Sequence, residues 1–242
     1  MKNQYFGDVR DLFKYDLIQR VLQEITPLKR LSFIPMLTRN KLRREGNKRD
    51  FNGAEKAGRP GTKNKRLINF LNEKYKVDVD KRDFTEIKTY FKSEGIGVGI
   101  YKGHEYFNHE TRGEYFENIP EDFLRNSLVF VDPDIGLEIK NSGEEHLLYQ
   151  DVKNLYGRMD EDSILMIYQH FPQAQFRHEE YSPKGRSNDL RKFTRCLPIY
   201  ISDNEIFFLF LAKNDELKNQ LARIVSKYKR DYPKRITTGN AD

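Results

Sequence analysis

The stretch Leu128 to Lys140, LVFVDPDIGLEIK, sets three carboxylates and an amine directly behind an apolar run: Asp132, Asp134, Glu138 and Lys140, with Pro133 between the first two. A buried strand that stops this abruptly in charge delivers it to the strand's carboxyl end, where open parallel α/β sheets bind their ligands. A second cluster of the same kind, Gln169-His170-Phe171-Pro172, follows the apolar run Ile164 to Tyr168. If the two strands pair, the clusters are neighbours, and Gln169 and His170 become candidates for lining a substrate pocket beside Asp132. A lone histidine behind a buried strand reads equally as a packed, hydrogen-bonded residue.

Several chemistries can be written with these residues. Asp132, Asp134 and Glu138 offer an oxygen-only loop for Mg²⁺ or Ca²⁺. Asp134 with Glu138-Ile139-Lys140 reads as the Pro-Asp and Glu-x-Lys elements of a metal-dependent nuclease, in which carboxylates hold a divalent cation and the lysine stabilises the attacking water. Against that stands the short gap of three residues between Asp134 and Glu138. The plainest reading is that Asp132 and Asp134 cap a turn. Elsewhere, His104 and His109 flank Glu105 in KGHEYFNHE without a fourth ligand, so an exposed loop is expected there. Arg112, Tyr115 and Phe116 combine charge with aromatic faces, a pattern that suits either base stacking or an amphipathic helix.

The elements that must position these groups alternate. Leu12, Tyr15, Ile18 and Leu22 repeat at helical spacing over Asp11 to Glu24, and Thr26-Pro27 stop the helix. Leu31 to Leu37 reads as a strand, Asn64 to Tyr75 and Asp83 to Lys92 as helices, and Gly95 to Tyr101 as a strand whose glycines repeat every second residue for close packing. Strands at Leu128 to Val131 and Ile164 to Tyr168 flank a helix over Leu147 to Met159. This order predicts a doubly wound, mainly parallel, Rossmann-like α/β sheet. Leu197 to Ile201 and Glu205 to Ala212, joined through Ser202-Asp203-Asn204, predict a closing antiparallel hairpin. A helix over Leu217 to Tyr228 and a frayed basic tail complete a single domain over residues 1–242.

At Asp132-Pro133 the chain resembles the class I methyltransferases that modify adenine N6, most closely those acting on the large ribosomal RNA. Their strand-end motif is Asp-Pro-Pro-aromatic; here Asp134 and Ile135 stand in the last two places. The resemblance implies that Asp132, within Asp132-Pro133-Asp134, accepts hydrogen bonds from an exocyclic amine and so aims its lone pair at a methyl group. Arg10-Asp11-Leu12-Phe13-Lys14-Tyr15 is similar to the family's N-terminal Asp-x-x-Lys-His helix. That likeness implies that Lys14 and Tyr15 lie near S-adenosylmethionine. The strand ending at Leu37 lacks the usual glycine-rich turn, since no glycine follows before Gly46.

Charge points to the partner. Eleven basic residues and three acids between Arg39 and Arg66 give that stretch +8, while the chain as a whole carries +6, leaving −2 for the remainder. A basic insertion over residues 39–92 is therefore expected to meet phosphate backbone of RNA or DNA, with Arg43 and Arg44 among the contacts; a solvated loop is the bland alternative. The lone Cys196 permits no internal disulfide, and the first residues carry Asp8 and Asp11 rather than a secretory signal. A cytoplasmic protein with no membrane span is expected. The functional expectation is S-adenosylmethionine-dependent methylation of nucleic acid. A Mg²⁺-dependent nuclease, or a catalytically degenerate module that binds nucleic acid or protein, are the alternatives.

Overall fold

A computed structural model describes residues 1–40, 50–171 and 178–240. In chain order its helices are α1 (Arg10–Glu24), α2 (Phe51–Lys56), α3 (Lys65–Tyr75), α4 (Ile87–Ser93), α5 (Arg112–Glu117), α6 (Tyr149–Arg158), α7 (Pro183–Thr194) and α8 (Asp215–Asp231). The strands are β1 (Arg30–Pro35), β2 (Gly97–Ile100), β3 (Ser127–Asp132), β4 (Gly136–Leu137), β5 (His146–Leu147), β6 (Ile164–His170), β7 (Ile199–Ser202), β8 (Ile206–Ala212) and β9 (Thr237–Gly239). Seven strands form one sheet in the order β2-β1-β3-β6-β8-β7-β9, and β4 pairs with β5 beside it.

The centre of the sheet is parallel: β1 pairs with β2 and β3, and β3 with β6. β8 runs antiparallel to both β6 and β7. The fold is thus α/β, with the expected antiparallel hairpin at its end.

Burial on both faces explains the continuous apolar runs. Along β3 the period of two sends Leu128 and Phe130 into one core and Val129 and Val131 into the other. The first core also takes Leu12 and Ile18 from α1, Leu67 and Leu71 from α3, Ile87 from α4 and Leu221 from α8. The second takes Tyr115 from α5, Leu155 from α6 and Leu190 from α7. Helices therefore cover both faces.

Proline at the end of β1 is accommodated by register. Pairing of β1 with β2 stops at Phe33 opposite Ile100, while pairing with β3 continues to Pro35 opposite Asp132. Beyond Phe33, β1 has no ladder neighbour on its β2 side, so a missing N–H does no damage there. The glycine alternation of β2 serves close approach at Gly99, where a Cβ would stand 2.9 Å from the Phe123 ring.

Residues 50–92 form the crossover from β1 to β2, and their helices contribute to the same core as α1. The C-terminal tail differs from expectation. Rather than fraying after Tyr228, α8 continues to Asp231, Tyr232 and Ile236 are buried, and β9 adds to the sheet with Thr238 opposite Ile201. Tyr228, Tyr232 and Ile236 extend the apolar spacing of α8 and anchor the tail. No described helix is long and apolar enough to cross a membrane.

Candidate active site

The carboxyl ends of β1, β3 and β6 lie side by side, and the first eight residues of the chain pass over them. Thr38 N–H donates to the Met1 carbonyl at 2.8 Å, Phe84 N–H to Asn3 Oδ1 at 3.1 Å, and the buried Arg82 guanidinium to the Gln4 carbonyl at 2.8 Å. These contacts pin a 3₁₀ turn, Asn3–Tyr5, above the strand ends. Beneath it is a cavity of about 270 Å³, walled by this segment, by Arg10, Asp11 and Lys14 of α1, and by Asp132, Pro133, Asp134, Tyr168 and His170.

Its charges are buried and interlocked. Lys14 Nζ stands 3.0 Å from Asp132 Oδ2 and 3.0 Å from Asp11 Oδ1, and 5.2 Å from the centre of the Tyr168 ring. Burial works to lower the Lys14 pKa, but the two carboxylates together hold it well above the ordinary lysine value. Asp11 also accepts from Gly7 N–H at 2.9 Å; burial leaves its pKa raised despite Lys14. Asp8 is pushed up to about 7, by burial first and by neighbouring Asp11 second.

The rim is also built from ion pairs. Arg10 N–H donates to Asp8 Oδ1 at 2.8 Å, and the Arg10 guanidinium reaches Glu205 at 3.1 Å, which Arg59 also holds at 2.8 Å. Lys2 pairs with Asp134 and, at 3.3 Å, with Glu145. His170 Nδ1 lies 3.1 Å from the Phe171 carbonyl, and burial, then the nearby Arg10, lowers its pKa. So many buried titratable groups around one cleft are expensive to fold and typical of functional sites.

Five residues singled out by sequence meet here: Asp132, Pro133, Asp134, Lys14 and His170. Tyr15 does not. One position on from Lys14 turns a side chain by about 100° around a helix, and Tyr15 packs edge-on against Phe6 and Phe91 in the core. Gln169 does not line the cavity either. Its Oε1 accepts from Leu137 N–H at 2.7 Å and its Nε2 donates to the His170 carbonyl at 2.8 Å, so it holds β4 against β6. Gly136, at φ +142°, lies so close that a Cβ would stand 2.3 Å from the Gln169 carboxamide.

The nuclease constellation is dispersed. Glu138 Oε2 accepts from Tyr149 N–H at 2.8 Å at the start of α6, Lys140 is exposed, and Asp134 faces Lys2. Among the described residues, no three His, Cys, Asp or Glu side chains are grouped to hold a metal ion, and Asp132, Asp134 and Glu138 form no such group. Tyr115 and Phe116 are buried and pack on Phe107, which removes them as a stacking surface; Arg112 is bound to Asp151 at 2.7 Å. His104 and His109 are exposed. Arg43 and Arg44 lie outside the described residues.

No family model matches the chain, and no curated protein matches it.

Sequence reasoning missed Lys2, Asp8, Arg10, Asp11 and Tyr168 as cavity residues. One signal was available for Asp11: it stands three residues before Lys14 on the same helical face, an acid and a base on the stripe facing the sheet. Lys2 and Asp8 had no such signal, because their place depends on a turn that folds back over distant strands.

Proposed function

We propose that the chain is a methyltransferase of the class I type that acts on an amine of nucleic acid, an adenine amine by preference, with Asp132 as the amine acceptor. The observation that carries this reading is the meeting of Lys14 and Asp132 at 3.0 Å on the wall of one cavity. These residues come from the two short motifs on which the family resemblance rests. The parallel sheet closed by an antiparallel hairpin supports the reading at the level of fold.

The chemistry assigned to Asp132 follows from its setting. It is 1% exposed at the strand end, and Lys14 fixes Oδ2. A carboxylate so oriented accepts from an exocyclic N–H without donating, which turns the amine lone pair out of the ring plane and toward an electrophile. Preorganised groups of this kind stabilise the reacting geometry without reorganisation.

The cavity lining carries both signs of charge that the zwitterionic end of S-adenosylmethionine requires, Lys2 and Arg10 for its carboxylate and Asp8 and Asp11 for its ammonium, each of which would exchange an internal partner for the ligand. The cofactor supplies a methyl group on a sulfonium sulfur. The cavity alone is smaller than most ligand sites, about 300–1,000 Å³, so these residues account for only part of such a ligand.

A second reading, a degenerate fold that binds without catalysis, is favoured by the turn after β1. Its amide groups are already engaged, Met36 N–H with the Asp132 carbonyl and Thr38 N–H with the Met1 carbonyl. Titration calorimetry with S-adenosylmethionine and S-adenosylhomocysteine separates the two. Binding heat is expected; neither heat nor a thermal shift at millimolar ligand overturns the methyltransferase reading.

A further inference from the structure

In the loop after β2 the chain exposes an aromatic ring that the fold does not use. Tyr106 is 52% exposed, while the next residue, Phe107, turns inward onto Tyr115 and Phe116. A single exposed aromatic is ordinary. Tyr106, however, carries the exposed Arg39 guanidinium over its ring, 4.9 Å from the centroid.

Two hydrogen bonds link the Tyr106 loop and the Arg39 turn to the segment that walls the site. Phe107 N–H donates to the Leu37 carbonyl at 2.7 Å, and Thr38 N–H to the carbonyl of Met1, a residue of the cavity wall. The loop bearing Tyr106 and the turn bearing Arg39 are therefore joined to each other and, through Met1, to the cavity wall. Arg39 also opens the most basic stretch of the sequence, and nearby Glu105 is engaged by Lys102 at 3.0 Å.

We propose that Arg39 and Tyr106 form a stacking platform for an unpaired base of single-stranded nucleic acid, at a nucleotide flanking the one presented to the cavity. The guanidinium already lies over one face of the phenol ring; a base stacks on the exposed face that remains, and the arginine supplies charge for the adjoining phosphate. A duplex, whose bases are already stacked on each other, has no free face to offer. That the stacked base flanks the reacting nucleotide rests on the proposed function; the platform itself requires no reaction in the cavity.

The test is fluorescence anisotropy of the full chain with short fluorescein-labelled single strands of mixed sequence, as RNA and as DNA, at low salt and without methyl donor. Tyr106→Ala should weaken binding about tenfold, Tyr106→Leu by as much, and Tyr106→Phe by less than about twofold, since stacking on an aromatic face is what is lost. Arg39→Ala should weaken binding and lower the salt slope by about 0.7, the value for one single-strand phosphate contact. An unchanged thermal midpoint certifies that each exposed variant is folded. Parent-like binding by Tyr106→Ala, rescue by Tyr106→Leu, or a preference for duplex overturns the platform and leaves the proposed function standing. If the parent binds no strand of either kind, the platform and the nucleic-acid substrate fall together.

Discussion

Lys14 in α1 and Asp132 at the end of β3 are separated by 118 residues and meet at 3.0 Å, both buried, with Asp11 on the other side of the ammonium. One cation is thus shared by two carboxylates. Remove the cation and two like charges face each other in a buried site; remove one carboxylate and a single ion pair remains.

Lys14→Met should therefore destabilise the protein strongly, by about 3–5 kcal/mol, the range for breaking a buried pair from one side. Asp132→Asn should cost less, because Asp11 continues to neutralise Lys14. The double variant should lose less than the sum of the two. Urea midpoints of the four proteins measure this, and strict additivity would contradict a direct interaction. In a methyl-transfer assay Asp132→Ala, which removes the acceptor altogether, should be inactive while still binding cofactor.

Asp8 makes stability depend on pH in an unusual direction. Its folded pKa of about 7 lies above the ordinary 3.8, so the folded protein holds the proton more tightly than the unfolded chain does. The stabilisation is complete below about pH 4 and is lost as pH rises through about 7. Asp11, Arg10 and Lys14 face the same group and titrate in their own ranges, so the useful quantity is a difference. The melting temperature of Asp8→Asn minus that of the parent should climb between about pH 4 and 7 and level off above. A flat difference would mean that Asp8 is ionised in the folded state throughout.

Glu138 and Lys140 test the metal chemistry that the sequence allows. Glu138 accepts from Tyr149 N–H at the first turn of α6, so Glu138→Gln should cost only about 0.5–1 kcal/mol, as for a weakened helix cap. Lys140→Ala should cost nothing measurable. Neither substitution should alter methyl transfer. If instead each abolishes a Mg²⁺-dependent cleavage of DNA or RNA, the nuclease reading is correct.

The basic stretch predicts a salt dependence. Replacing Arg43, Arg44, Lys48 and Arg49 together with Ala should flatten the slope of log K against log salt for single-strand RNA or DNA binding by up to about 3, since each single-strand phosphate contact contributes about 0.7. A quadruple variant with the parent slope would mark these residues as merely solvated.

Gly136 tests how the strand-end loop is held. Its φ of +142° and its proximity to Gln169 leave no room for a Cβ. Gly136→Ala should lower the melting temperature by several degrees, about 1–3 kcal/mol of strain, and adding Gln169→Ala should recover only the part due to collision.

The sequence by itself determined the elements and the sheet's broad form. Helical spacing located α1, α3 and α8 within a few residues, and apolar runs located β1, β3, β6 and the closing hairpin. The reason is that local periodicity records which faces are buried, and burial on both faces of a parallel sheet leaves uninterrupted apolar runs. The same logic put Asp132 at a strand's carboxyl end, whereas Lys14 was singled out only by the family resemblance. What only the tertiary structure decided was which polar groups share a space. Tyr15 and Lys14 are neighbours in sequence, yet one packs in the core and the other binds Asp132. Glu138 looked like a partner of Asp134 and instead caps a helix; Tyr115 and Phe116 looked available and are buried, while Tyr106 is not. Lys2 and Asp8 reach the cavity through a turn folded over strands more than a hundred residues away. Contacts of that separation are set by global packing and leave no periodic trace in the residues that make them.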